Sequence, residues 1–330
     1  MTGLELLAVR SGLPRDATTG ALVEPENPHL ALNEATKPRH PEAHISIRAQ
    51  QPQRRKPRLI AVTLVNDIQT EMANILDNCE NTVKVVWIET PSNPTLWLAD
   101  IQAVADIAHE RGSLLVVDNT FLSPYIQNPL RYGADVVLHS VTKYINGYSD
   151  VLMGAIALQD PTIYKNLAFI QNAAGSVPGP FDCWLAHRGV KPLHLRSLPA
   201  SQNASTIAQI LAASPHVLAV NHPGLSTHPQ SSWWAWWRDD FLIRGGSEAA
   251  RRFCESSRLF TLAESLSGVE RLCEVPAAMT HCGMAKEVPE ESDIYENLIR
   301  LSVGVEDVED LKVDLVWGLE EAVAIELGRS

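Results

Sequence analysis

Up to residue 58 the chain shows no sustained apolar rhythm after its first dozen residues. From Leu59 onward, short unbroken apolar runs alternate with stretches of helical spacing. The runs LIAVTLV (59–65), VKVVWIE (83–89), LLVVDN (114–119), ADVVLHS (134–140) and MGAIAL (153–158) have strand length and few charges, the pattern of strands covered on both faces. Between them, residues 68–76 carry apolar positions at helical intervals, and residues 100–111 align Ile101, Val104, Ala105, Ile107 and Ala108 in one stripe. Strand–helix–strand order predicts an α/β domain with a mainly parallel sheet. Residues 181 to about 213 read as helical with a break near Pro192, since proline interrupts a helix interior. Beyond them come short strands at HVLAVNHP (216–223), FLIRGG (241–246) and LIRLSVG (298–304), with helices at 247–254 and 308–327. The expected division is an irregular segment over 1–58, a major domain over 59–200 and a smaller C-terminal α/β domain over 201–330.

Composition refines the two ends of this picture. The first segment is crowded with proline (Pro14, Pro25, Pro28, Pro38, Pro41, Pro52 and Pro57) and closes on the basic run 54–58, which reads as a solvated linker. With 45% hydrophobic and 20% charged residues over a length of 330, the chain can bury a sizeable core. A formal net charge of −12 argues against a nucleic-acid partner. Four tryptophans at Trp233, Trp234, Trp236 and Trp237 suggest a stacking platform, but the neighbouring Asp239 and Asp240 favour a local oddity. The five cysteines form no CxxC pair, which points to a reducing compartment and away from a cysteine zinc site. His222 and His228 sit in a Pro/Gly-rich stretch and are too few for a metal site. No signal peptide and no apolar run of membrane-spanning length is seen, so the expected setting is the cytoplasm, with no membrane partner.

In open α/β sheets, ligands gather where strands give way to loops at their carboxyl ends. Three such ends carry reactive groups: Thr90–Thr95 with Asn93 after VVWIE, Asp118-Asn119-Thr120 after LLVV, and Ser140, Thr142 and Lys143 after DVVLH. Taken singly, an Asp there is commonly a helix cap and a Lys commonly a surface residue. Together they offer an amine, an acid, an amide and two hydroxyls. Pyridoxal 5'-phosphate (PLP) requires such a set: a lysine for its aldehyde, an acid beside its pyridine nitrogen, a donor near its ring oxygen and hydroxyls for its phosphate.

The segments VVWIETPSNPT (85–95), VVDNTFLSPYIQNPL (116–130), SVTKYINGYSD (140–150), LFTLAESLSGVE (259–270), PAAMTH (276–281) and LIRLSVGVED (298–307) resemble the Cys/Met-metabolism family of PLP-dependent enzymes. The resemblance covers roughly two-thirds of the chain, and segments this long are highly specific. It implies a PLP-dependent transferase-like major domain of the aspartate aminotransferase fold type I. It implies that Lys143 is the Schiff-base lysine, that Asp118 pairs with the pyridinium nitrogen, that Asn93 meets the ring hydroxyl and that Ser140 and Thr142 bind phosphate. Arg300 and Ser265 would hold the substrate α-carboxylate, with Glu264 near the substrate side chain. The implied reaction is α,γ-elimination of L-cystathionine to L-cysteine, 2-oxobutanoate and ammonia. The alternatives are γ-replacement, β-elimination, methionine γ-elimination, or no catalysis. The implied partners are a small sulfur amino acid and further copies of the chain, since the family is tetrameric.

Three family features find no counterpart in residues 1–84: a YSR-type motif that reaches a neighbouring subunit's phosphate site, an S-G-x-A turn that holds the phosphate, and a tyrosine that stacks on the ring. Weakened cofactor binding, reduced or absent turnover and weak assembly are therefore expected of these 330 residues. Tyr148 also stands where the family usually has histidine, and the tryptophans stand where it has glycine.

Overall fold

The structure, a computed structural model, describes residues 44–49, 58–63, 68–78, 83–228, 230, 238–266, 268–280 and 294–324. The tryptophan stretch 233–237, the basic run 54–57, Cys79, His281 and Cys282 lie outside the described residues.

The first sheet has six strands in the order β2-β1-β3-β4-β5-β6. These are β1 His44–Ala49, β2 Arg58–Thr63, β3 Val83–Glu89, β4 Leu114–Asp118, β5 Val136–Ser140 and β6 Gly154–Leu158. Helix α1, Ile68–Asn78, precedes β3, and α2, Ile101–Glu110, joins β3 to β4. Asp100 caps α2 by accepting from the Ala103 N–H at 3.1 Å, which fixes the turn by which the chain leaves the β3 loop. The stripe expected on α2 is real: Ile101, Val104, Ala105 and Ala108 pack with Met72, Val86, Ile88, Leu115, Val117 and Val137 in one core.

The sheet is mixed, not mainly parallel. Only β3, β4 and β5 run parallel; β1 and β2 pair antiparallel, and β6 returns antiparallel to β5. No crossover helix separates β5 from β6, and an antiparallel return needs none. The N-terminal segment is not wholly irregular, because HISIRA alternates polar and apolar residues and forms β1. The short α3, Ser123–Ile126, lies between β4 and β5, and past β6 come α4 Pro161–Ala174, α5 Pro180–Val190 and α6 Leu193–Ala213. Helix α4 buries none of its residues.

The second sheet has the order β7-β8-β11-β10-β9. Its strands are β7 Val217–Asn221, β8 Arg238–Ile243, β9 Thr261–Leu262, β10 Leu272–Glu274 and β11 Leu298–Ser302. Helices α6, α7 (Gly246–Ser256) and α8 (Val308–Ala324) cover one face, where Phe241, Phe253, Ile207, Leu211, Ile299, Leu301 and Leu315 form a second core. Phe241 and Phe253 meet edge to face, 5.5 Å between centroids, a favoured aromatic geometry. A boundary at residue 200 runs through the middle of α6. Among the described residues no helix is long and apolar enough to cross a membrane.

Candidate active site

Because β3, β4 and β5 are parallel, their carboxyl ends open on one edge of the sheet. The loop after β3 is folded by its own hydroxyls. Ser92 Oγ accepts from the Trp97 N–H at 2.9 Å and sits 3.0 Å from the Thr95 hydroxyl, while Thr90 Oγ1 accepts from the Ala99 N–H at 2.9 Å. These hydroxyls are buried in turn-making, and the half-buried Asn93 is the side chain turned toward the second sheet.

The other two strand ends are laced together. Asp118 accepts from the Thr120 N–H at 3.0 Å, and the Thr120 hydroxyl accepts from the Ser140 N–H at 2.8 Å. Asn119 donates to the carbonyls of Ser123 and Gln127 at 3.2 and 2.9 Å; Gln127 donates to the Thr90 carbonyl at 3.2 Å and to Asn119 Oδ1 at 2.9 Å. The ends of β3, β4 and β5 thus form one rigid edge.

After β5 the chain takes a π-helical turn, Val141–Ile145, in which the Asn146 N–H reaches back to the Val141 carbonyl at 2.8 Å. π turns of this kind recur at functional sites. Thr142 is tied to the backbone of Met153, accepting from its N–H at 3.0 Å. Lys143 lies inside the turn with non-helical backbone angles (φ −85°, ψ −128°), and its amine donates to Ser265 Oγ at 2.7 Å. Ser265 belongs to the loop between β9 and β10 and has φ 136°, a region L-residues rarely adopt. Its carbonyl accepts from Arg300 Nη2 at 2.7 Å. Arg300 Nη1 reaches Asn93 Oδ1 at 3.1 Å and Glu274 Oε1 at 2.6 Å, and Glu274 also accepts from the Thr280 hydroxyl at 3.0 Å. Arg300 and Glu274 are 2% and 1% exposed.

The structure therefore links Asn93, Lys143, Ser265 and Arg300 in one hydrogen-bonded chain between the sheets. Asp118 and Ser140 are joined to each other through Thr120 at the neighbouring strand ends. Thr142 directs its hydroxyl to Met153, and Glu264 is exposed next to Ser265.

Three participants escape the sequence reading. Glu274, which grips Arg300, sits on a three-residue strand whose only signal is its place opposite Arg300 in the β10/β11 ladder. Gln127 is visible only as one polar residue of a loop. His139 is buried within β5; burial pushes its imidazole below the ordinary range, while the Asp118 carboxylate and the Asn119 backbone pull the other way. Away from this edge, His222 Nδ1 lies 2.8 Å from Asp239 with both side chains buried, and His228 packs against Trp97. No cluster of three or more His, Cys, Asp or Glu among the described residues is placed to hold a metal ion.

The donor set at this edge fits pyridoxal phosphate. Lys143 offers a half-buried primary amine, Asp118 an acid at the adjoining strand end, Asn93 an amide and Ser140 a hydroxyl, all on one edge of one sheet.

Comparison with known proteins agrees with this chemistry. The model of the family described as Cys/Met metabolism PLP-dependent enzyme matches residues 52–320. A cystathionine gamma-lyase of Saccharomyces cerevisiae is 51% identical over 276 residues, covering 80% of this chain and 69% of that protein. A cystathionine gamma-synthase of Mycobacterium bovis is 48% identical over 242 residues, covering 72% of this chain and 62% of that protein. The crystal structure of cystathionine gamma-lyase from yeast superposes with a TM-score of 0.75 at 50% identity, over 78% of this chain and 68% of that one. The chain thus spans about two thirds of the length of the relatives it matches.

Proposed function

Since the chain belongs to the Cys/Met-metabolism PLP-dependent enzyme family, we propose that it is a carbon–sulfur lyase of the cystathionine γ-lyase type, converting L-cystathionine to L-cysteine, 2-oxobutanoate and ammonia. The observation that carries this reading is the link Lys143–Ser265–Arg300. It sets a nucleophilic amine 2.7 Å from a hydroxyl whose own backbone is held by a buried guanidinium. This link supports a pose in which an amino acid's carboxylate docks on Arg300 and its Cα lies near Lys143.

Each residue then has a task. Arg300, a planar fork with several donors, takes the α-carboxylate together with Ser265. Lys143 would hold the cofactor, and its free Nζ would take the Cα proton. Asp118 stabilises positive charge on the cofactor's ring nitrogen. Asn93 meets the ring oxygen, Ser140 and Thr142 serve the phosphate, and Glu264 faces the substrate's departing arm. When bound, pyridoxal phosphate supplies the electron sink for the charge left at Cα.

Loading the purified chain with PLP, reducing with borohydride and mapping the peptides tests the assignment; label is expected on Lys143, and label on another lysine overturns it. Release of 2-oxobutanoate from cystathionine, exceeding that from methionine, tests the reaction. A second reading, γ-replacement that builds cystathionine, is favoured by the 48% identity to a gamma-synthase. Cystathionine formation from an activated homoserine and cysteine, faster than its cleavage, would establish that reading instead.

The proposed setting is the cytoplasm, and the proposed assembly is a homo-oligomer. Tyr164, Phe169 and Ile170 of α4 and Phe181 and Trp184 of α5 are all exposed, more apolar surface than a monomer usually leaves in water. Light scattering checks this; a monomer at high concentration overturns it.

A further inference from the structure

Helix α6 touches both halves of the site from outside it. Arg196 and Asn203 are separated by about two helical turns on α6 and so share one of its faces. Both are buried. Arg196 donates at 3.2 Å to the carbonyl of Ile145, the last residue of the π turn that carries Lys143. The Asn203 amide donates to the carbonyls of Gly304 at 3.1 Å and Glu306 at 2.8 Å, in the loop that leaves β11, the strand of Arg300. A second route runs alongside. The Val305 N–H donates to the Val269 carbonyl at 3.2 Å, and the Val269 N–H donates to the Gly147 carbonyl at 3.0 Å, just past the π turn. In the same loop the buried Glu306 accepts from the buried Arg271 Nη1 at 2.9 Å. The exit of β11 is therefore tied to the turn of Lys143 by groups that stand outside the Lys143–Ser265–Arg300 link.

We propose that Asn203 is a positioning residue that sets the distance between the amine of Lys143 and the guanidinium of Arg300. The inference rests on the reading of Lys143 as the cofactor lysine and of Arg300 as the substrate-carboxylate residue. Within the site this distance is held by the 2.7 Å contact of Lys143 with Ser265 and by the Ser265 carbonyl on Arg300. A substrate replaces the first of these contacts, because Lys143 and Ser265 then both serve it. What keeps Arg300 in place once the site is filled must lie outside it, and the Asn203 amide on the β11 exit is such a tie. Asparagine suits the task. Its amide nitrogen carries two hydrogens, one for each carbonyl, whereas alanine leaves both buried oxygens without that donor. An amino acid that reaches Arg300 with its carboxylate and the Lys143 end of the site with its amine is bound at two points. It loses affinity when those points drift apart. A carboxylate without the amine is bound at one point and is spared.

The test compares the parent chain, kept in saturating PLP, with Asn203→Ala and with Asn203→Ser, whose shorter hydroxyl serves one carbonyl at most. Calorimetry uses L-norleucine, which has no leaving group, and hexanoate, the same carbon chain without the amine. It reads the two-point span without turnover, once the heat of norleucine on PLP alone is subtracted. Asn203→Ala is expected to bind norleucine about tenfold more weakly, with hexanoate changed less than about twofold, and Asn203→Ser to fall between parent and Ala. Norleucine and hexanoate weakening together, or neither weakening, overturns the proposal. So does failure of both variants to fold, which would make Asn203 a residue of the fold and not of the span. Failure of the underlying reading shows in the parent, which then binds norleucine no more tightly than hexanoate before any substitution. A parent that discriminates, with variants that discriminate equally well, overturns the role of Asn203 alone.

Discussion

Ser265 holds a backbone angle that costs most residues about 1–3 kcal/mol, between Lys143 on its hydroxyl and Arg300 on its carbonyl. Two substitutions separate strain from contact. Ser265→Gly relieves the angle and Ser265→Ala keeps it, while both remove the hydroxyl. In denaturant titration the Ala variant is expected to be less stable than the Gly variant by about 1–2 kcal/mol, and both should lose kcat/KM. Asp118→Asn addresses the neighbouring strand end. An acid that acts only when charge enters the cofactor ring should show in kcat far more than in KM, at unchanged thermal stability. His139 gives a pH signature. Its folded imidazole titrates below its unfolded value, so on acidification the unfolded chain takes the proton first. Stability should be full above the ordinary histidine value near about 6.5 and fall as pH drops below it. His139→Gln should flatten that loss in acid, read from Tm against pH, leaving the part due to His228, which burial also depresses. Of these residues, Lys143, Asp118 and Ser265 were legible because each lies in a long, specific segment. His139 was hidden because an imidazole inside an apolar run reads as one more strand residue.

Among the elements, the π turn that carries Lys143 is braced from behind. Arg196 of α6 donates to the carbonyls of Ile145 at 3.2 Å and Gly189 at 2.9 Å, and its guanidinium lies 5.5 Å from the Tyr148 ring centroid. Gly147 has φ 82°, and a Cβ there would strike that guanidinium. Gly147→Ala should therefore lower stability by about 1–3 kcal/mol and weaken cofactor retention, whereas Gly112→Ala, also at positive φ but with open space around it, tests the backbone cost alone. The strands β3, β4 and β5 were readable because buried β-branched runs admit little else. Helix α4 escaped notice although its signals are present: Asp160 caps the N–H groups of Thr162 and Ile163, Pro161 opens the helix and Gly175 closes it. Its residues show no stripe that packs, and periodicity reports packing. The two prolines of the helical stretch behave differently for a related reason. Pro192 separates α5 from α6, but Pro199 lies within α6, where the carbonyl it leaves without an N–H is that of the exposed Leu195, open to water.

At the scale of the whole molecule, the second sheet was the less legible half. β9 and β10 are too short for any pattern, and the pairing of Arg300 with Glu274 exists only once the β10/β11 ladder forms. The missing phosphate-clamp motifs in residues 1–84 carry a quantitative expectation. Charge-assisted hydrogen bonds contribute roughly 1.5–3 kcal/mol each. Two fewer should leave a polypeptide of these 330 residues binding PLP about two to four orders of magnitude more weakly than one that carries both contacts, at about 1.4 kcal/mol per tenfold. Titration of visible absorbance against added PLP checks this, and equal affinity would mean that residues 1–84 rebuild the clamp in another form.

Strand β6 ends the first sheet, and its Gly-Ala-Ile-Ala-Leu run is largely exposed and carries no charge, proline or bulge. Such an edge is a template on which a like strand can add. Concentrated solutions should therefore coalesce by intermolecular β-pairing, turning cloudy and binding amyloid-specific dye, faster in salt that screens the net charge of −12. A single Ile156→Lys gatekeeper at the half-exposed centre of the strand should delay that clouding severalfold while leaving the Lys143–Ser265 contact intact.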